Sequence, residues 1–167
     1  MPASDQGKLT GRYTLVPRTL IFLTCGDQVL LLKGAAHKRL WANRYNGLGG
    51  HIERGEDVLG AARRELREES GLEGVALRLV GVATIDAGQE SGIGLYILRG
   101  ECSQTAPVAS DEGEPCWVSR QALAGLPLVE DLPVLLPRVL NAPPGAAPFS
   151  ARYTYDPAGQ LQIEFTE

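Results

Sequence analysis

Three glutamates in one short segment have the spacing of a metal site. Glu65, Glu68 and Glu69 stand at i, i+3 and i+4, which places three carboxylates on one face of a helix, one turn apart. Like charges at this spacing repel each other unless a cation lies among them, and clustered oxygen ligands suit a hard divalent ion such as Mg2+ or Mn2+. The same pattern is also typical of a solvated acidic helix face, in which Arg64 pairs with Glu68.

The residues around these glutamates predict a loop followed by a helix. The glycine-rich stretch 47–50 allows backbone to approach a ligand closely and to adopt positive φ. A helix is predicted over 57–70, with Asp57 as its N-cap and Gly71 as the residue that ends it. Glu56 precedes this helix, where it either braces the loop or binds a metal. The apolar residues expected to face a sheet are Val58, Leu59, Ala62 and Leu66.

The segment 50–72 resembles the signature of a known family, the Nudix box. Nine constrained positions within one window make this match specific, and no fixed position departs from it. The resemblance implies a Nudix hydrolase, an enzyme that uses divalent metal to cleave a nucleoside diphosphate linked to another group. The matching positions are Gly50, Glu56, Arg64, Glu65, Leu66, Glu68, Glu69, Gly71 and Leu72.

Further segments are similar to a MutT-like branch of this family that acts on oxidised purine nucleotides. These segments are 13–16, 45–50, 107–117 and 149–165. The resemblance implies hydrolysis of a nucleoside triphosphate such as 8-oxo-dGTP to a nucleoside monophosphate and pyrophosphate, which sanitises the nucleotide pool and avoids DNA damage. Two alternatives stay open: another Nudix substrate, such as ADP-ribose, a dinucleoside polyphosphate or capped RNA, and a nucleotide-sensing module without turnover. The intact set of glutamates argues against the second alternative.

The resemblance also assigns roles at the metal site. Arg64 would orient the carboxylates, and Mg2+ or Mn2+ would be the cofactor. The general base stays open among Glu68, Glu69 and Glu112. The implied metal ligands are the carbonyl of Gly49 and the carboxylates of Glu65, Glu68, Glu69 and Glu112.

The resemblance also implies which residues form the base pocket. Asn46 would contact the base, and the pair Glu130 and Asp131 would read the purine edge, although a charge pair favoured by a helix N-terminus explains these two acids equally well. Leu128 stands where the relatives carry a tryptophan that stacks on the base, which leaves the preferred base open. The other implied pocket residues are Thr14, Lys33 and Leu48.

Length and composition are those of an ordinary globular protein. A chain of 167 residues is long enough for one domain with a sizeable core, so a single Nudix domain over 1–167 is expected. The net charge of −4 and the lack of a basic stripe argue against binding along a nucleic-acid backbone, so the expected partner is a nucleotide. The apolar run 20–32 is interrupted by Gly26 and Asp27, which excludes a membrane span there. We expect a cytoplasmic protein, with monomer and homodimer both open.

The order of predicted elements indicates an α+β fold with a mixed sheet, because strands and helices do not alternate regularly. The resemblance implies an α/β/α sandwich. Strands are predicted over 13–24, 28–33, 75–87, 93–101 and 114–118, with a C-terminal hairpin within 151–166. Helices are predicted over 57–70, near 119–124 and over 132–140, and residues 34–46 are expected to form a loop.

Overall fold

The computed structural model describes residues 11–86, 88, 90–103 and 105–166. In these residues no helix is both long and apolar enough to cross a membrane. The strands are β1 (Thr14–Cys25), β2 (Gln28–Gly34), β3 (Tyr45–Asn46), β4 (Leu77–Ile85), β5 (Ser91–Glu101), β6 (Gly113–Ser119), β7 (Phe149–Tyr155) and β8 (Leu161–Thr166). The α-helices are α1 (Val58–Ser70) and α2 (Leu132–Leu140), and a 3-10 helix spans Arg120–Gly125.

The strands form one mixed sheet in the order β3-β2-β1-β5-β4-β7-β8, and β6 pairs with β2 outside this path. The strand β1 is the centre of this arrangement. It runs parallel to β5 from Thr14, opposite Ser91, to Thr24, opposite Glu101, and antiparallel to β2. A second parallel pair joins β4 to β7. The mixed sheet expected from the sequence is therefore confirmed.

Each face of the sheet is covered by one helix. Successive side chains of a strand point to opposite faces, so Leu20 and Phe22 pack in the cluster that contains α2, while Ile21 and Leu23 pack in the cluster that contains α1. All four side chains are buried. The result is a sheet between two helices, which confirms the predicted α/β/α sandwich.

The predicted elements are confirmed with shifts at their ends. The strand predicted over 75–87 begins at Leu77 and runs to Ile85, and position 87 lies outside the described residues. The short helix predicted near 119–124 is a 3-10 helix. The expectation of a continuous loop over 34–46 was wrong at its end, because Tyr45 and Asn46 pair with β2 as the short strand β3. In α2, Pro133 lies in the first turn, where its missing N–H has no helical partner to lose.

Candidate functional site

One cleft of about 680 Å³ brings most of the predicted site residues together. Its lining contains both a group of acidic residues and a group of apolar residues. The acidic residues from α1 and from the turn before β6 are Glu65, Glu68, Glu69, Asp111 and Glu112. The apolar lining residues are Leu20, Ile85, Ile93, Leu95, Val129 and Leu161. A cleft with both carboxylates and an apolar floor can accept a ligand that is charged at one end and carries a ring at the other.

The helix α1 is fixed at both ends by the caps that the sequence predicts. The Asp57 side chain accepts a hydrogen bond from the Gly60 N–H at 2.7 Å, and Gly71 ends the helix in the left-handed region with φ 71°. Ala62 and Leu66 are buried against the sheet as predicted. The prediction for Leu59 was wrong, because this side chain is exposed. The caps fix the ends of α1, and the burial of Ala62 and Leu66 fixes its rotation about its own axis. As a result, its glutamates face the cleft.

Arg64 connects three glutamates into one network. Its Nε donates to Glu56 at 2.7 Å, and its Nη1 donates to Glu65 at 2.9 Å and to Glu68 at 3.1 Å. The hydrogen bonds from Arg64 are the main cause that lowers the pKa of Glu56 to about 2. Glu56 therefore braces the arginine in this structure, while one oxygen each of Glu65 and Glu68 is held in place on the helix.

Glu69 differs from the other glutamates because it is buried. Only 5% of its surface is exposed, and one of its oxygens accepts a hydrogen bond from the Gly49 N–H at 2.7 Å. Burial raises the pKa of Glu69 to about 8, and the neighbouring carboxylates Glu65 and Glu112 act in the same direction. A buried carboxylate with carboxylate neighbours is a position at which added positive charge would be strongly favoured.

The raised pKa of Glu69 predicts how stability depends on pH. Without metal, the folded chain keeps the proton on Glu69 up to about pH 8, whereas the unfolded chain releases it near 4.5. Unfolding therefore releases a proton in this window, and the free energy of unfolding should fall as pH rises, by roughly 2–4 kcal/mol in all. Urea unfolding in chelator across this window measures the fall. Glu69→Gln should show a shallower fall than the wild type; equal slopes would contradict the raised pKa.

The glycine-rich loop lies against β1 and the carboxylates at close range. The Thr19 N–H donates to the Gly50 carbonyl at 2.8 Å, which ties the loop to the central strand. Gly49 has φ 128°, and a Cβ there would collide with the Thr19 carbonyl. A Cβ at Gly50 would meet an oxygen of Glu65 at 2.5 Å. Glycine is therefore required at Gly49, where backbone approaches backbone at positive φ, whereas a side chain at Gly50 would displace the Glu65 carboxylate.

Glu112 approaches the helix glutamates from the turn before β6. Its carboxylate makes a very short ion pair with Lys38, and its charge contributes to the raised pKa of Glu69. Within the described ranges, no three His, Cys, Asp or Glu side chains are already arranged to hold a metal ion. In this arrangement Arg64 pairs with Glu65 and Glu68, and Lys38 pairs with Glu112.

Three of the predicted base-pocket residues line the same cleft as the glutamates: Asn46, Glu130 and Asp131. The Asn46 side-chain oxygen accepts a hydrogen bond from the Gly47 N–H at 2.8 Å, and the Tyr155 hydroxyl donates to Glu130 at 3.0 Å. Asp131 is half-buried, and burial raises its pKa. The buried Tyr153 hydroxyl lies close to Asp131 and makes no hydrogen bond of good geometry with any described residue. Asp131 begins α2 without a side-chain cap bond, so capping does not explain it.

The structure does not bring three of the predicted base-pocket residues, Thr14, Lys33 and Leu48, into the cleft, nor Leu128, which stands at the position of the relatives' tryptophan. Thr14 is exposed at the start of β1, and Lys33 is half-buried on β2 beside β3. Leu48 is fully buried beneath α1, because the Gly47–Gly50 loop pairs with β1 through Leu48 and Ile21. Leu128 packs against the cluster that contains α2. These residues support the walls of the cleft and do not form its surface.

The lining residues that the sequence analysis missed include three with a charge or a large ring: Arg18, Lys38 and Trp41. Arg18 is half-buried, and its Nε has no hydrogen-bond partner among the described residues. The signal for Arg18 was a charged residue inside an otherwise apolar strand, at a position that faces the α2 side as Leu20 does. Lys38 and Trp41 lie in the long loop between β2 and β3. This loop has neither hydrophobic periodicity nor a motif, so the sequence did not indicate that their side chains would reach the cleft.

Comparison with known proteins agrees with this geometry. Residues 14–139 match the model of the NUDIX domain. Over 100 residues the chain is 35% identical to an oxidized purine nucleoside triphosphate hydrolase of Danio rerio and 33% identical to the one of Mus musculus. Each match covers 59% of this chain and 63% of the relative, so less than two thirds of these relatives is spanned.

Solved structures show the same fold at lower identity. A MutT protein from Bacillus halodurans superimposes with a TM-score of 0.74 at 23% identity, over 90% of this chain and 97% of that one. The NUDIX domain of Shewanella oneidensis NrtR, solved with ADP ribose, gives a TM-score of 0.68 at 13% identity, over 84% and 97% of the two chains. The match to the family model covers the strands β1 to β6, the helix α1 and nearly all of α2, and the chain therefore belongs to the NUDIX domain family.

Proposed function

We propose that this chain is a metal-dependent nucleoside triphosphate pyrophosphohydrolase that acts on oxidised purine nucleotides, giving a nucleoside monophosphate and pyrophosphate. The observation that carries the proposal is the composition of the cleft. Glutamates of the box, held by Arg64 and the glycine-rich loop, form its acidic part, and Asn46, Glu130 and Asp131 lie in the same cleft. A phosphate chain needs the first set of groups, and a purine edge suits the second.

The residues present fit a divalent cation. The donor set consists of carboxylate and carbonyl oxygens, which Mg2+ and Mn2+ prefer. Glu69 is a buried carboxyl whose pKa is raised because burial leaves its charge uncompensated. The Gly49 carbonyl accepts no hydrogen bond from the part of the chain that the structure describes. Glu65, Glu68, Glu69, Glu112 and this carbonyl would hold the ion, with Arg64 and Lys38 yielding part of their contacts.

The chain itself supplies positioning and proton transfer for the reaction. A bound divalent ion would stabilise charge on the phosphates and make water a better nucleophile. Arg18 and Lys38 place two positive charges in the cleft, where they would hold phosphate oxygens of the substrate. Arg64 keeps Glu65 and Glu68 on the correct side of α1. One of Glu68, Glu69 and Glu112 would accept the proton of the attacking water.

The choice of substrate rests on the relatives and on the polar residues of the cleft. Both curated relatives are named as hydrolases of oxidized purine nucleoside triphosphates. The half-buried Asp131, whose pKa burial raises, can act as donor when protonated and as acceptor when charged. The Tyr153 hydroxyl lies beside Asp131 and makes no hydrogen bond of good geometry with any described residue. A pocket with polar groups of this kind selects the base that pairs with them.

The reaction type is tested by the products and by metal removal. With Mg2+ present, hydrolysis of 8-oxo-dGTP should release pyrophosphate and the monophosphate in equal amounts, and EDTA should abolish it. Excess Mg2+ should restore the rate. Release of inorganic phosphate with a diphosphate product, or full activity in EDTA, would contradict the proposal.

Asn46 provides a sharper test of base recognition. Asn46→Ala should reduce the preference for 8-oxo-dGTP over dGTP, because it removes the amide that would contact the base. Since the Asn46 oxygen also accepts from the Gly47 N–H, Asn46→Asp is the matched variant: it keeps this acceptor and loses the amide donor. Ratios of kcat/KM for the two substrates measure the effect. A preference that survives both substitutions would show that Asn46 does not read the base.

A further inference from the structure

Trp41 has an unusual backbone conformation for a large side chain. It lies in the loop 35–44 between β2 and β3 with φ 59°, in the left-handed region where bulky residues are rarely found. The backbone around it is fixed: the Arg44 N–H donates to the Trp41 carbonyl at 3.0 Å, and the Asn43 N–H donates to the Gly34 carbonyl at 2.9 Å. Conformations of this kind persist where surrounding contacts enforce them, and they are concentrated at functional sites.

The Trp41 side chain makes no specific contact with the part of the chain that the structure describes. It lines the cleft and is 45% exposed, and it belongs to neither hydrophobic cluster. Among the described residues none makes a hydrogen bond or a ring contact with its indole. A single exposed tryptophan on an open surface needs no explanation. One on the wall of a cleft, held there in a costly backbone conformation, offers an aromatic face to a ligand.

The loop that carries Trp41 connects the two groups of polar residues in the cleft. On one side of Trp41 in the chain, Lys38 pairs with Glu112 beside the box glutamates. On the other side, the Arg44 side chain donates to the Leu128 carbonyl at 3.2 Å, directly before the segment that carries Glu130. The position of Trp41 between these anchors suits a ring that meets the base while the phosphates lie near Lys38.

The other aromatic residues of the cleft are committed within the protein. Tyr153 is only 2% exposed and packs in the cluster that contains α2. Tyr155 is tied through its hydroxyl to Glu130. Bases stack on exposed aromatic faces, an interaction that contributes substantially to nucleotide affinity. Among the described aromatic residues that line the cleft, Trp41 is therefore the most exposed, and it is the one whose side chain is neither packed in a cluster nor held by a hydrogen bond.

We propose that Trp41 is a base-stacking residue of this cleft, and that the loop 35–44 supplies the aromatic wall against which the purine of a bound nucleotide lies. This inference rests on the proposed function only in requiring that the ligand is a nucleotide. It depends neither on hydrolysis nor on which purine is preferred.

Tryptophan fluorescence tests the stacking without turnover. The chain has two tryptophans; the other, Trp117, packs near α1 and donates to the Thr105 carbonyl at 3.0 Å. In Trp117→Phe, Trp41 is the single tryptophan, and its emission is followed with excitation that tyrosine does not absorb. Saturable quenching is expected with dGMP, which carries a base, and none with deoxyribose 5-phosphate, which does not. In the complementary variant Trp41→Phe, the quenching by dGMP should be lost.

Kinetics provide a second measurement. Trp41→Ala should raise KM for purine nucleoside triphosphates about 10-fold with little change in kcat, and Trp41→Phe should recover most of this loss because it keeps an aromatic face. Leu40→Ala is the matched control, since Leu40 is 63% exposed in the same loop and does not line the cleft; its KM should stay at the wild-type value.

The inference would be overturned by wild-type KM in Trp41→Ala, or by dGMP binding in equilibrium dialysis without a change in Trp41 fluorescence. Absence of dGMP binding up to millimolar concentration would overturn it as well. The proposed function fails separately, if oxidised and normal purine triphosphates are hydrolysed equally or not at all. The dGMP titration still decides the role of Trp41 in that case.

Discussion

Glu69→Gln should lower kcat at least about 100-fold at saturating Mg2+, the scale of loss expected when a principal electrostatic group of an active site is removed. The substitution keeps an oxygen that can accept from the Gly49 N–H and removes the buried charge. Glu68→Gln should have a comparable effect, because it removes a second oxygen ligand from the same face of α1. Steady-state kinetics with 8-oxo-dGTP measure both.

The matched control for these substitutions is Glu73→Gln. Glu73 is exposed just beyond α1, where it makes only a long ion pair of 3.9 Å with Arg67, and exposed pairs of this kind contribute little. Its kcat should equal that of the wild type. Circular dichroism should show folded protein for all three variants, since removing one of several repelling charges does not weaken the helix. Near wild-type turnover in both Glu68→Gln and Glu69→Gln would show that the metal assignment is wrong.

Glu112→Gln should lower kcat more than it raises KM, by about 10- to 100-fold in kcat. Glu112 pairs with Lys38 and lies near enough to Glu69 to raise its pKa. A metal ligand or a general base acts mainly in the transition state, so its loss appears in kcat. Initial rates over a range of 8-oxo-dGTP concentrations separate the two constants.

The control for Glu112 is Glu114→Gln, which changes an exposed carboxylate two residues further along that does not line the cleft. It should leave both constants unchanged. An effect of Glu112→Gln confined to KM would demote Glu112 to a substrate contact. A pH–rate profile that loses its acidic limb in Glu112→Gln, and keeps it in Glu68→Gln, would assign the general base to Glu112.

The parts of the fold that follow local chemistry could be predicted from the sequence. Asp57 caps α1 and Gly71 ends it because each meets a backbone requirement of a helix terminus. The residue types of β1 predicted a strand, and the structure buries residues 20–23 on both of its faces. The pairing of Tyr45 and Asn46 with β2 was not predictable, because two residues carry no periodicity and the pairing depends on where the chain returns after a long loop.

The candidate site was also predictable from the sequence only in part. The spacing of Glu65, Glu68 and Glu69 could place them on one helix face. No spacing could show that Glu69 is the buried one, since that depends on the Gly49 loop folding over it. Leu48 was placed in the pocket by resemblance and lies in the core.

The most direct test of the central claim is a set of kcat/KM values for 8-oxo-dGTP, dGTP, dATP and ADP-ribose with saturating Mg2+. We predict that 8-oxo-dGTP has the highest kcat/KM of the four substrates. Its preference over dGTP should be moderate, because Leu128 supplies no aromatic face at its position. Leu128→Trp should increase this preference if the ring reaches the cleft. A higher value for ADP-ribose, or equal values for 8-oxo-dGTP and dGTP, would contradict the assignment to oxidised purine nucleotides.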